Sequence, residues 1–128
     1  LIFWACKCVE NVMPLINKAD EKLTNAIETA KEWAIDNASV GDARNASFDA
    51  IAVANELTNP IEVALARSVG HSVATAHMAD HSLRAAEYAL KAIKLAKKSI
   101  DDERKFQDKL LTLDITELVL SARDKQNI

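Results

Sequence analysis

Residues 60–98 read PIEVALARSVGHSVATAHMADHSLRAAEYALKAIKLAKK, a helical pattern from end to end. A single globular helix of that length is unusual, so the pattern predicts a break. The break falls in HMADHS, residues 77–82, where Asp80 can cap a new helix starting near His81. Two consecutive helices follow, one from 60 to about 78 and one from there to about 98. The first carries Ala64, Ala66, Ser68, Gly70, Ser72, Ala74, Thr75 and Ala76. Side chains that small let backbones approach closely and predict a tight helix crossing. The second sets a charged stripe, Arg84, Glu87, Lys91, Lys94 and Lys98, against Leu83, Ala86, Leu90 and Ile93. Glu87 precedes Lys91 by four, a pairing worth about 0.3–0.5 kcal/mol on an exposed helix.

Upstream, helix follows helix. Ile2, Ala5, Cys6, Val9, Met13 and Ile16 form the inner stripe of a helix over about 1–17, with Pro14 bending or closing its end. Leu23, Ala26, Ile27, Ala30, Trp33 and Ala34 mark a second, capped by Asp20 or Thr24. In NASVGD, residues 37–42, Gly41 suits a left-handed helix end and Asp42 the next N-cap. A third helix over about 43–57 contains AIAVA, 50–54, apolar nearly all round, which predicts a place in the middle of a bundle. It ends at LTNP, where Asn59 caps and Pro60 takes the first helical position.

Downstream, Asp101 or Asp102 can cap a helix over ERKFQDKLL, and Thr112 or Asp114 can start a short last one over ITELVLSAR. The expected fold is therefore all-α: one domain over 1–128, a bundle of six to seven helices. Residues 1–98 form its first core, helices in 101–123 fold back on it, and the tail 124–128 frays.

Composition agrees. Of 128 residues, 49% are apolar and 27% charged, with two glycines and two prolines against 22 alanines. The net charge of −3 gives no drive toward nucleic acid or an anionic membrane. No phosphate loop, dinucleotide fingerprint or G-x-S-x-G is present. Cys6 and Cys8 lie two apart on a helix, pointing roughly 200° from each other, and so cannot pair. They read as packing thiols in a reducing compartment. Lys91, Lys94, Lys97 and Lys98 are followed directly by Asp101, Asp102 and Glu103, the pattern of a solvated helix end.

The three histidines are the candidates for chemistry. On a continuous helix His77 and His81 share a face, about 40° apart, as two zinc ligands would. His71 lies about 240° from His77 and points elsewhere. A metal site needs a third ligand and an open position, and a break at Asp80 would divide the pair. The expectation is a packed junction of Gly70, His71, His77, Asp80 and His81, with no catalytic residue and no cofactor.

Several stretches occur in an order that carries a resemblance: CVENVMPLI, AIETAKEWA, ARSVGHSVATAHMADHSLRAAEYALKAI and ITELVLSAR. Together, over roughly residues 5–123, they resemble the small all-helical putative immunity proteins of bacterial polymorphic-toxin systems. The resemblance implies a cytoplasmic bacterial protein that binds and neutralises a cognate toxin without catalysis or cofactor. Asp101, Asp102, Glu103, Asp108, Asp114 and Glu117 are then candidates to face a basic toxin. NASVGDARNAS and KSIDDERKFQ fit the resemblance less well and are where specificity would vary. Two other readings stand beside it: a metal-dependent helical-bundle enzyme using His77 and His81, and a structural homo-oligomer joined through the small-residue helices.

Overall fold

The computed structural model describes residues 1–16 and 20–111. Among them all regular structure is helical: α1 (Ile2–Val12), a 3-10 turn (Met13–Leu15), α2 (Glu21–Ala34), α3 (Val40–Glu56), α4 (Pro60–Ala74), α5 (His81–Leu95) and α6 (Ile100–Lys109). The last short helix expected after Thr112 or Asp114 lies outside the described residues.

The break in 60–98 is real, and it makes a helical hairpin. Ser68 Oγ donates to the Ala85 carbonyl at 2.7 Å, and His71 meets His81 at 2.8 Å. Higher numbers on one helix face lower numbers on the other, so α4 and α5 run antiparallel. The small residues act as expected. Ala64, Ala66, Ser68, Gly70, Ser72 and Ala74 are all buried. Ser47 on α3 donates to the Gly70 carbonyl at 3.1 Å. Ser72 is shared between the Ser68 carbonyl at 2.9 Å and the Ala5 carbonyl at 3.3 Å. Hydroxyls hidden in the core thus find backbone acceptors across helix crossings, which removes the cost of burying them.

The centre of the bundle is α4, not α3. It packs against α5, α3, α2 and α1. Helix α3 keeps an outer face, with Phe48 62% exposed and Ala52 and Asn55 in solvent. The apolar run 50–54 misleads because alanine serves equally well on either face.

A main core joins Cys6, Val9, Leu23, Val53, Leu65, Val69 and Ile93 from five helices. A smaller cluster, Trp4, Cys8, Leu83 and Ala86, lies beneath α6. There Trp4 Nε1 donates to the Gln107 carbonyl at 2.8 Å, and Gln107 Nε2 donates to the Ala86 carbonyl at 3.2 Å. Buried Gln107 therefore ties α6 to both α1 and α5.

Helix ends follow the caps in part. Asp20 caps α2 by accepting from the Lys22 N–H at 2.8 Å. Asn59 caps α4 by accepting from Ile61 and Glu62, with Pro60 at the first position as expected. Three expectations are corrected. Helix α3 begins at Val40, capped by Ser39 in a reciprocal box with Asp42, so Gly41 is inside the helix. Ser39 wins because its own extended backbone sits one turn earlier. Helix α6 is capped by Ser99 rather than by Asp101 or Asp102. Asp80 does precede α5, but its backbone is already helical and its side chain makes no cap. Among the described residues the left-handed positions are Asp36 and Lys97, not a glycine.

Candidate functional site

Helix α4 ends at Ala74, and the turn 75–80 reverses the chain into α5. That reversal, absent from any single-helix phase argument, brings the histidines together. His71 does not point away. Its Nδ1 lies 2.8 Å from His81 Nδ1, and its ring stacks on Tyr88 at 5.3 Å between centroids. His77 tilts against His81 at 5.5 Å. The correction is geometric: His71 and His81 belong to facing antiparallel helices, so helical phase does not separate them.

A distance of 2.8 Å is a hydrogen bond. It requires one ring to carry its proton on Nδ1 and the other to present a lone pair there. Two imidazole nitrogens on one tetrahedral zinc would stand about 3.3 Å apart, from bond lengths near 2.05 Å. Among the described residues no three His, Cys, Asp or Glu side chains are grouped to hold a metal. Burial holds His71 down to about 4, helped by His81 and the Arg84 and Arg67 guanidiniums. Burial also lowers His81, as do His77 and Arg84, against an opposing pull from Asp80. Both shifts favour the neutral ring, in His71 and in His81.

Cys6 and Cys8 are buried thiols on α1. Burial, with Glu10 nearby, pushes the Cys6 thiol up to about 12, which leaves almost no thiolate nucleophile at neutral pH.

The acidic candidates of α6 divide. Asp101, Asp102 and Asp108 are exposed. Glu103 is 5% exposed and turns inward, where its Oε2 accepts from Asn11 Nδ2 at 2.7 Å. Burial raises its carboxyl above the usual range while the Asn11 bond lowers it. Lys105 and Lys109 stand exposed among the outward acids, so α6 is not a uniformly acidic face. Asp114 and Glu117 lie outside the described residues.

The sequence reading passed over a larger feature. A cleft of about 380 Å³ opens between α2 and α3, lined by Asn25, Glu32, Asn37, Asp42, Asn45 and Asp49 among others. The 20–56 segment that builds it holds eight acidic and three basic residues, a net of −5. The whole chain is −3, so everything else sums to +2. The signal was present as that local charge excess, hidden by the mild total. Among the described residues Glu32 and Asp49 have no ion-pair partner. The ion pairs seen are Lys31–Glu10 at 3.1 Å and Arg84–Glu87 at 3.3 Å. Glu87 thus turns back to Arg84 rather than forward to Lys91, which sits 6.0 Å above the Tyr88 ring.

Among the described residues no helix is long and apolar enough to cross a membrane. A family model described as Imm-5 like putative immunity protein matches residues 1–113. No curated protein and no solved structure matches the chain.

Proposed function

The chain belongs to the Imm-5 like putative immunity protein family, and from that premise we propose that it binds and neutralises a cognate protein toxin in the cytoplasm of the bacterium that makes it. The family match over residues 1–113 carries this reading. The interior supports a binding role over a catalytic one. Burial keeps His71 neutral, and its ring is engaged with His81 and Tyr88. Its Cys6 thiol is buried and held protonated. Neutralisation then works by occupying the toxin's surface, which needs a complementary face and no reacting group.

Co-expression tests the proposal. The toxin encoded beside this gene arrests growth when produced alone. Growth returns when this chain is co-produced, and the two proteins co-elute on gel filtration. Unrelieved arrest with no complex overturns the proposal. The alternative of a metal-dependent enzyme using His77 and His81 is tested by metal analysis of untagged protein. Near-stoichiometric zinc, iron or nickel would revive it.

A further inference from the structure

We propose that the α2–α3 cleft and the adjoining outer ridge of α3 form the surface that receives the toxin, and that the occupant is a basic segment of that toxin. The inference rests on the immunity reading and adds to it the face and the chemistry of the partner.

Three independent observations converge there. The first is shape: among the described residues the cleft is a concavity of about 380 Å³, open between two helices. The second is charge. The segment 20–56, which forms α2 and α3, carries −5 while the rest of the chain carries +2. Among the described residues Glu32 and Asp49 line the cleft without an ion-pair partner, and with Asp42 they outnumber Lys22, the cation in its lining. Asn25, Asn37 and Asn45 add amide groups that can hydrogen-bond a guanidinium or a backbone. A basic segment would be steered in and then held by charge-assisted bonds.

The third is an exposed anchor. Phe48 is 62% exposed, and Ile35 at the end of α2 is 60% exposed. Phe48 lies three residues after the cleft-lining Asn45, about 60° around α3 from it, so it stands on the outer ridge next to the cleft rather than in its lining. A large aromatic left in water beside a polar concavity is the composition of an interface hot spot with its polar rim. Helix α6 also exposes an aromatic, Phe106 at 36%, but its acids are not massed around it. Glu103 is turned inward, and Lys105 and Lys109 offset its outward neighbours.

The test uses the full chain and the purified toxin encoded beside its gene, with binding measured by calorimetry at two salt concentrations. Phe48→Ala weakens binding at least about thirty-fold, as hot-spot truncations do. The double reversal Glu32→Lys with Asp49→Lys weakens it comparably and flattens the salt dependence. Asp42 is left alone because it closes the α3 capping box. Asp101→Lys with Asp102→Lys, on α6, changes affinity by less than about three-fold. Circular dichroism and melting confirm that each variant is folded.

If wild-type protein binds and both cleft variants bind equally well, the face is wrong while the immunity reading survives. A large loss from the α6 variant alone has the same meaning. If wild-type protein fails to bind, the immunity reading falls and this inference with it. Self-association of the free chain that Phe48→Ala abolishes would assign the ridge to a second copy and also overturn the proposal.

Discussion

His71 Nδ1 and His81 Nδ1 lie 2.8 Å apart across the α4–α5 crossing, one ring donating to the other. The pair can take one extra proton, on the free Nε2 of the donor ring, and keep this bond, but a second would set N–H against N–H. Arg84 and Arg67 add positive potential beside His71, while Asp80 is the acidic side chain acting on His81.

Stability should therefore fall on mild acidification. An ordinary histidine takes its proton near 6.5, whereas His71 in the fold takes it at about 4. Above 6.5 both states are neutral and the effect is nil. From 6.5 down to 4 the unfolded chain binds the proton first, so stability is lost across that window. Allowing for solvent screening of a half-buried ring, the loss is about 1–2 kcal/mol. Urea unfolding between pH 7.5 and 4.5 reads it, and His71→Asn should flatten the histidine part of the profile.

Gly70 and Ile51 should be energetically coupled. A Cβ at Gly70 would stand 2.7 Å from Ile51 Cδ1 and 3.0 Å from its Cγ1. Gly70→Ala gains up to about 1 kcal/mol of helix propensity but forces Ile51 to move, at about 1–3 kcal/mol. The net expectation is destabilisation by about 1 kcal/mol. In an Ile51→Ala background the same change should stabilise. A double-mutant cycle giving coupling below about 0.5 kcal/mol would contradict this packing.

Lys97→Gly should stabilise the chain. Lys97 holds φ 60° after the end of α5, where its N–H donates to the Lys94 carbonyl. Lys98 N–H donates to the Ile93 carbonyl, completing a Schellman motif. Glycine relieves the left-handed strain, for a gain of about 0.5–1 kcal/mol in chemical denaturation.

The thiols should be silent in the folded state. Cys6 is 1% exposed and Cys8 0% exposed, and burial keeps Cys6 protonated. Ellman's reagent should react with fewer than one thiol per chain in native buffer and with two in denaturant. Rapid native labelling would mean that α1 opens easily.

Much of the fold was legible before any coordinates. The scarcity of glycine and proline set the class, and Pro60 behind Asn59 marked the start of α4 because that arrangement satisfies the first helical N–H groups locally. Local signals failed where two solutions were nearly equal. Ser39, Asp42 and Gly41 all offered a helix start, and the reciprocal Ser39–Asp42 pair won by satisfying two donors at once. Ser99 beat Asp101 and Asp102 through a hydrogen bond to the Asp102 N–H.

The candidate site was less legible. The run 50–54 placed α3 at the centre, yet alanine records little about which face is wet. The acids of α6 were grouped by sequence proximity, although a helix turns each neighbour by about 100°, and Glu103 points inward.

The sequence alone determined that this chain is helical, where α4 and α5 part, and which family it joins, because these depend on backbone propensity, short-range caps and residue order. Tertiary structure alone decided that α4 is central, that His71 meets His81, and that α2 and α3 enclose an acidic cleft. Those relationships join residues far apart in sequence, and helical phase is defined only within one helix.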